Sequence, residues 1–207
     1  MRVNKKERIL DVAARHFSAH GFDATSLEDV AAEAGVTKPA IYYHFKDKLD
    51  LYESVLTRRL DELADAVERA VPAAPSAEQL RRYIEAFGGY LRRHPCFAAM
   101  LSHAFSDNGF HMPDAAVASL ARTLGIVTRI LNEGAESGDF EIENPMVVQM
   151  MIVSSLIIHQ TTDDLRRRVA SQVEGYPLLP DPAIDDLARI LARNILKMVR
   201  KERPCDD

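Results

Sequence analysis

The sequence predicts an all-α fold: a small three-helix head, a long joining helix, and a larger helical domain behind it. Three observations lead there. Apolar residues recur every three or four positions along almost the whole chain, as in helices with one buried face, and no alternating strand of useful length or internal repeat interrupts them. Glycines, prolines and capping residues mark the starts and stops of those periodic runs. Between Leu27 and His44 a short helix, a glycine and a second short helix follow one another, the spacing of a helix-turn-helix.

Ile9, Val12, Ala13 and Phe17 define one face of a first helix from about Lys5 to His20, and Gly21 stops it in the left-handed conformation that glycine adopts freely. Ser26-Leu27-Glu28-Asp29 has the form of a capping box with Asp in the acidic position, which starts a second helix running to about Ala34. Gly35 breaks that helix. Thr37 and Pro39 start a third that ends near His44, with the proline in the first turn where its missing N–H is not needed. Asp47 caps a long fourth helix, about residues 48–70, whose apolar stripe is Leu49, Tyr52, Leu56, Leu60, Leu63 and Val67; Pro72 and Pro75 close it.

Ser76 to His94 makes a fifth helix with Leu80, Ile84, Phe87 and Leu91 on one face. Gly88 and Gly89 in its middle forfeit about 2 kcal/mol of helix propensity, so a kink or a close approach is expected there. Pro95 opens a sixth helix to about Phe105, Asp107-Asn108-Gly109 is a loop, and Pro113 to Ser137 is a seventh helix stopped by Gly138. Asn144 as N-cap and Pro145 behind it start a segment from Met146 to Gln160 that is apolar nearly all round and must be covered on more than one side. Gln149, Ser154 and Ser155 interrupt it, and it falls short of the ~20 apolar residues of a membrane span. A loop from Gly175 to Ala183, with Pro177, Pro180 and Pro182, precedes a last helix carrying Ile184, Leu187, Leu191, Ile195, Met198 and Val199. The expected organisation is a domain at 1–48, a linking helix at about 48–70, and a second domain at 71–207.

Composition narrows the function. The 207 residues carry 26 Lys+Arg against 31 Asp+Glu, a net charge of −5, which excludes a globally basic nucleic-acid coat. The acidity is uneven: residues 1–48 hold eight cations and seven acids, and Lys38, Lys46 and Lys48 cluster at their end. Two cysteines, Cys96 and Cys205, form no disulfide framework, and the charged N-terminal residues have no apolar stretch behind them, so a reducing cytoplasm is the expected compartment. There is no G-x-S-x-G, H-E-x-x-H or glycine-rich phosphate loop, so neither catalysis nor a cofactor is expected.

Leu27, Val30, Ala34, Val36 and Ile41 would form the shared core of the helix-turn-helix, with small Ala31 letting its two helices approach. The run Thr37-Lys38-Pro39-Ala40-Ile41-Tyr42-Tyr43-His44-Phe45-Lys46-Asp47-Lys48 then presents hydroxyl, ammonium, phenol and imidazole groups beside further lysines, which suits a helix that reads the major groove between phosphate contacts. With Gly21-Phe22-Asp23-Ala24-Thr25-Ser26 ahead of it and Gly35-Val36 in the turn, the stretch from 5 to 56 resembles the DNA-binding domain of the TetR family of bacterial transcriptional regulators. Beyond that quarter of the chain the likeness is only in length and helical content.

The resemblance implies a homodimer on a roughly palindromic operator of double-stranded DNA, a repressor in the usual case, released by a small molecule in the C-terminal domain. It places Thr37, Lys38, Pro39, Ala40, Tyr43 and His44 at bases or the adjacent backbone, Tyr42 and Lys48 at phosphates, and Thr25 and Ser26 as hydroxyls facing the backbone at the mouth of the second helix. Glu28 departs from the pattern, being acidic on a turn that often carries a neutral or basic residue. His16 and His20 read as surface or packing residues.

In the C-terminal domain the expected effector is apolar or amphipathic. Aromatic and sulfur-bearing residues from Phe87 to Met112, with His103, His111, Thr123, Ser155 and His159 as polar groups, suggest its site. Phe87, Tyr90, Met100, His103, Phe105, Leu120, Leu124, Ser155 and His159 are the candidate contacts, although an apolar stripe at helical spacing also describes ordinary core. Met151, Ser155, Ile158, Leu187, Leu191, Ile195 and Met198 are the candidate dimer contacts. Two rivals remain open: a helical adaptor that binds only protein, which leaves the lysine cluster without a role, and a metal- or redox-responsive regulator using His94, Cys96, His103 and His111, whose spacing matches no tight chelate motif.

Overall fold

The computed structural model describes residues 4–176 and 180–201. Among these, regular structure consists of α1 (Lys5–Ala24), α2 (Leu27–Ala34), α3 (Lys38–His44), α4 (Lys48–Ala70), α5 (Ser76–Arg93), α6 (Pro95–Ser106), α7 (Asp114–Glu136), α8 (Pro145–Thr161), α9 (Asp163–Ala170) and α10 (Ile184–Val199). None of these helices is long and apolar enough to cross a membrane. The chain divides into two compact units, Met1–Glu62 with His94–Ser119, and Leu63–Arg93 with Leu120–Asp207.

In the first unit α1 buries the anticipated Ile9, Val12, Ala13 and Phe17, and α6 packs along it with Phe97, Ala98 and Leu101 inward. That packing makes the unit larger than residues 1–48, since it takes in α6, the start of α7 and α4 through Glu62. The inner row of α4 is Leu51, Tyr52, Val55, Leu56 and Leu60. Leu49, expected in the stripe, is instead 37% exposed, because it lies off that row.

In the second unit α10 packs against α5. Gly88 marks a close approach rather than a kink: a Cβ at that position would lie 2.8 Å from the Ala188 Cβ and 3.6 Å from the Ile184 carbonyl oxygen. The end of α10 is pinned by an antiparallel bridge between Phe140 and Arg200, with the Glu141 N–H donating to the Val199 carbonyl at 2.8 Å and the Lys201 N–H to Asp139 at 3.1 Å. The Asn144 side chain caps α8 as expected, accepting from the Met146 N–H at 2.9 Å. One helix was not anticipated. α9 carries Asp163 and Asp164 in its first turn and Arg167 and Arg168 in its last, in accord with the helix dipole. Its apolar residues Leu165 and Val169 are both exposed, so it leaves almost no periodic trace. Pro177 lies outside the described residues.

The two glycines of α5 should respond oppositely to alanine. Gly89→Ala meets only the flexible end of Arg93 and should stabilise the protein by about 0.5–1 kcal/mol through helix propensity. Gly88→Ala should destabilise it by about 1–3 kcal/mol, because the Cβ drives α5 and α10 apart. Thermal and urea unfolding of the two variants measures both.

Candidate nucleic-acid interface

The frame of the site is set where α1 ends. Its helical run continues past His20 to Ala24 but is broken at Gly21, which has φ 73° and ψ −177°. The Thr25 hydroxyl donates to the Gly21 carbonyl at 2.7 Å. Carbonyls of Phe22, Asp23 and Thr25 converge on the Lys48 ammonium at 2.9, 3.0 and 3.3 Å, and that ammonium also stands 4.5 Å above the Phe22 ring. Phe22 packs in turn against Tyr52 and His111, with ring centroids 5.2 and 4.5 Å away. Burial pushes the Tyr52 phenol up to about 12, with the charge of Asp107 adding to it.

This arrangement gives two of the expected DNA contacts partners within the chain. Lys48 directs its three N–H donors at three backbone carbonyls, so its charge holds the entrance to α2 instead of standing free for a phosphate. Thr25 is only 3% exposed and spends its hydroxyl on the break in α1.

The turn itself forms as the sequence dictates. Ser26 Oγ accepts from the N–H groups of Glu28 at 3.2 Å and Asp29 at 3.4 Å. Gly35 adopts φ 61°, its N–H bonds the Ala32 carbonyl, and the Val36 N–H reaches back to Ala31 at 3.0 Å, which closes α2 in a Schellman motif. Leu27, Val30, Ala31, Ala34 and Ile41 are buried beneath, and Val36 is half-buried. Glu33 ties α2 to α1 through Arg15 at 2.6 Å and His16 at 2.7 Å, and these partners, Arg15 first, hold its carboxyl below the usual range.

What α3 leaves outward is a compact polar and aromatic face. Thr37 and Pro39 are exposed, and the Thr37 hydroxyl makes no capping bond. Tyr42 is 49% and Tyr43 85% exposed, while His44 sets its ring edge-on to Tyr43 at 5.0 Å. Ala40 is half-buried and keeps this face shallow. Glu28 pairs with Lys38, and this hydrogen bond lowers the carboxyl's pKa and raises that of the ammonium, which also lies 6.0 Å from the Tyr42 ring centroid. Lys46, counted in the basic cluster but not among the expected contacts, is exposed and has no ion pair among the described residues. Its signal was its place directly after buried Phe45.

The expected effector contacts are spread over both units. Phe87 and Tyr90 are buried in the second unit, where Leu120, Leu124 and Ser155 are half-buried and His159 Nε2 lies 2.9 Å from the Pro182 carbonyl. Met100, His103 and Phe105 belong to the first unit. Sequence reasoning missed a buried polar chain in the second unit: the Tyr83 hydroxyl donates to Gln149 Oε1 at 2.9 Å, Gln149 Nε2 to Thr123 Oγ1 at 3.4 Å, and Thr123 Oγ1 to the Leu120 carbonyl at 2.7 Å. Burial raises the Tyr83 phenol, against the opposing hydrogen bond to Gln149. Gln149 interrupting an apolar run was the available signal.

Met151, Ile158 and Met198 of the expected dimer set are exposed, and Ser155, Leu187 and Leu191 are half-buried. Ile195 is corrected: at 0% exposure it faces inward on the row that packs against α5. The metal alternative does not assemble, since among the described residues no group of three or more His, Cys, Asp or Glu is placed to hold an ion. His94 Nδ1 lies 3.3 Å from Arg59, and His111 packs on Phe22. Cys205, the expected redox partner of Cys96, lies outside the described residues.

Comparison with known proteins matches residues 9–55 to the model described as bacterial regulatory proteins, tetR family. The transcriptional activator FasR of Mycolicibacterium smegmatis is 34% identical over 91 residues, 44% of this chain and 42% of that protein. The chain spans between about a quarter and a half of the length of the curated relatives it matches first. Over nearly its whole length it shares the fold of the TetR family regulator PfmR from Thermus thermophilus, with TM-score 0.74, 24% identity, and coverage of 97% and 99% of the two chains. The same holds for the regulator FadR from Bacillus subtilis, solved in complex with stearoyl-CoA, with TM-score 0.73, 19% identity, and coverage of 92% and 97%.

Two lysines now separate frame from contact. Lys48→Ala should lower the unfolding free energy by about 1–3 kcal/mol, because the carbonyls of Asp23 and Thr25 lose the ammonium and that of Phe22 keeps only the Thr25 N–H. Lys46→Ala should leave stability unchanged and reduce the slope of log affinity against log salt by roughly one on any duplex. Differential scanning calorimetry and fluorescence anisotropy at graded salt distinguish the two.

Proposed function

We propose that the chain is a member of the TetR family, whose model its residues 9–55 match, and that it is a cytoplasmic transcriptional repressor that binds a palindromic operator as a homodimer and releases it on binding an apolar or amphipathic effector. The observation that carries this reading is the exposed face of α3. Thr37, Lys38, Tyr42, Tyr43 and His44 gather donors, acceptors and ring edges on seven helical residues and their cap, followed by Lys46, a cation without an ion pair among the described residues. A large aromatic such as Tyr43 standing in water is unexplained by packing and suits contact with DNA. The relatives and fold neighbours compared above are named as regulators, which favours this reading over an adaptor or an enzyme.

The homodimer is supported by an uncovered apolar surface: Met146, Val147, Met150, Met151 and Ile158 on α8 and Met198 on α10 are all exposed. An isologous interface of two helices from each copy fits them. For the effector, the buried Tyr83–Gln149–Thr123 chain, with the Phe87 ring 6.3 Å from that of Tyr83, offers a polar anchor.

On its own upstream DNA the protein should show salt-dependent, competitor-resistant binding, with Tyr43→Ala costing about 1–3 kcal/mol on the operator and sparing both non-specific binding and thermal stability. Binding indistinguishable from that to unrelated duplex would refute the regulator reading. FasR is named an activator, so a promoter fusion in the presence and absence of the gene decides the sign of regulation. Long-chain acyl-CoA is the first effector probe, because a fold neighbour was solved with stearoyl-CoA. An effector coupled by ~1–3 kcal/mol should weaken operator binding roughly 5- to 150-fold, and saturating operator should weaken the effector equally.

Sedimentation should show a dimer that Leu191→Asp disrupts while the chain stays folded. Ile195→Asp should unfold it, since that position is interior.

A further inference from the structure

The flank of α10 beside α5 carries charge that the DNA reading leaves unused. A groove of about 370 Å³ runs between α5 and α10, floored by Ala192 and Leu196, and it is rimmed by the cations Arg81, Arg189, Arg193, Lys197 and Arg200 against one carboxylate, Glu85. In a chain of net charge −5 this concentration of positive charge is local and specific. Two of the five cations are balanced. Arg81 is held between Glu78 and Glu85, both at 2.6 Å, and Arg189 pairs with Asp186. Arg193, Lys197 and Arg200 have no carboxylate partner among the described residues; Arg193 and Lys197 lie one helical turn apart on α10, and Arg200, just beyond its end, lines the same groove.

The groove is also fixed in shape. Gly88 seats α5 against Ala188, and the bridge from Phe140 to Arg200 pins the far end of α10. Leu187, Leu191 and Met198 lie on the opposite side of the buried row Ala188–Ala192–Ile195–Val199, so a second copy seated on that apolar flank leaves the basic flank open. Unpaired cations around an apolar floor complement a ligand that is anionic at one end and apolar at the other.

We propose that this α5–α10 groove binds a soluble amphiphile with a phosphate head, whose apolar body covers Ala192 and Leu196 while Arg193, Lys197 and Arg200 engage the phosphate. The volume admits one small ligand and the charge asks for at least a dianion. The same phosphate chemistry is presented by a lipid headgroup in a bilayer, so the test compares both sources.

Octyl phosphate, inorganic phosphate and octanol are titrated into the full chain by calorimetry, alongside vesicles of phosphatidic acid in phosphatidylcholine. Octyl phosphate should bind once per chain, about tenfold or more tighter than either inorganic phosphate or octanol. The double variant Arg193→Ala/Lys197→Ala should lose about tenfold or more of that affinity and flatten its salt dependence, with unchanged thermal unfolding because both residues are exposed. Leu196→Ala should weaken octyl phosphate and leave inorganic phosphate unaffected. Equal affinity for octyl and inorganic phosphate, or undiminished binding by the double variant, overturns the proposal. Binding to the vesicles without binding to octyl phosphate overturns it too, by assigning the face to a membrane; so does loss of operator affinity in the double variant without any octyl phosphate binding, by assigning it to DNA.

Discussion

The contact between the Lys48 ammonium and the carbonyls of Phe22, Asp23 and Thr25 governs the N-terminal unit. A helix broken at Gly21 leaves carbonyl groups without their intrahelical partners, and the chain must then turn into α2 within two residues. One ammonium from α4 takes the carbonyls of Phe22, Asp23 and Thr25 together, the first of which also accepts the Thr25 N–H, and through the Phe22 ring it joins the aromatic cluster of Phe17, Phe22 and Tyr52. The start of α2 is thereby fixed relative to α4. Ser26 and Gly35 then fix the two ends of α2 itself, so α3 has little freedom left in where it stands. The aromatic and polar groups of α3 stay in water because the neighbouring helices are fully committed to one another.

Charge on the recognition face is organised by pairing rather than by excess. Glu28, the acidic departure from the TetR pattern, neither points away nor stands free: it holds Lys38. The pair keeps the ammonium close to the Tyr42 ring, in an environment where a phosphate or a guanine edge must compete with a carboxylate already in place. On the proposed DNA-binding reading, that competition would lower affinity for any duplex and raise the relative weight of contacts that only the correct sequence supplies.

Much of this was legible in the sequence, and the failures have physical causes. Helix starts were readable because Ser26, Asp47 and Asn144 each bond nearby N–H groups through their own side chains, a local effect that sequence carries directly. The outward residues of α3 were readable because a seven-residue helix with one buried residue, Ile41, leaves only one way to face. The internal partners of Lys48 and Thr25 were not legible because they are carbonyls at and beside a break in α1, for Lys48 more than twenty residues away, and no local pattern reports a partner at that distance. Ile195 and Leu191 look alike in a periodic stripe, yet four residues on a helix of 3.6 per turn drift in phase, which sends one to the core and the other to its margin. α9 went unseen because its stability rests on charges placed at its ends and not on a buried stripe.

The same lysine sits at one end of a helix that contributes to both units. α4 is continuous from Lys48 to Ala70, 23 residues, so it is about 34 Å long. Leu63, Ala64 and Val67 are fully buried in the second unit, and Lys48, at the other end of the same helix, holds the entrance to α2 in the first. Three hydrogen bonds from one ammonium tolerate little displacement before they lengthen, and loosening them frees the segment that positions α3. In the proposed dimer the recognition helices would have to stand about 34–36 Å apart to enter successive major grooves, so loosening the entrance to α2 is a local way to lose operator binding while every helix stays intact.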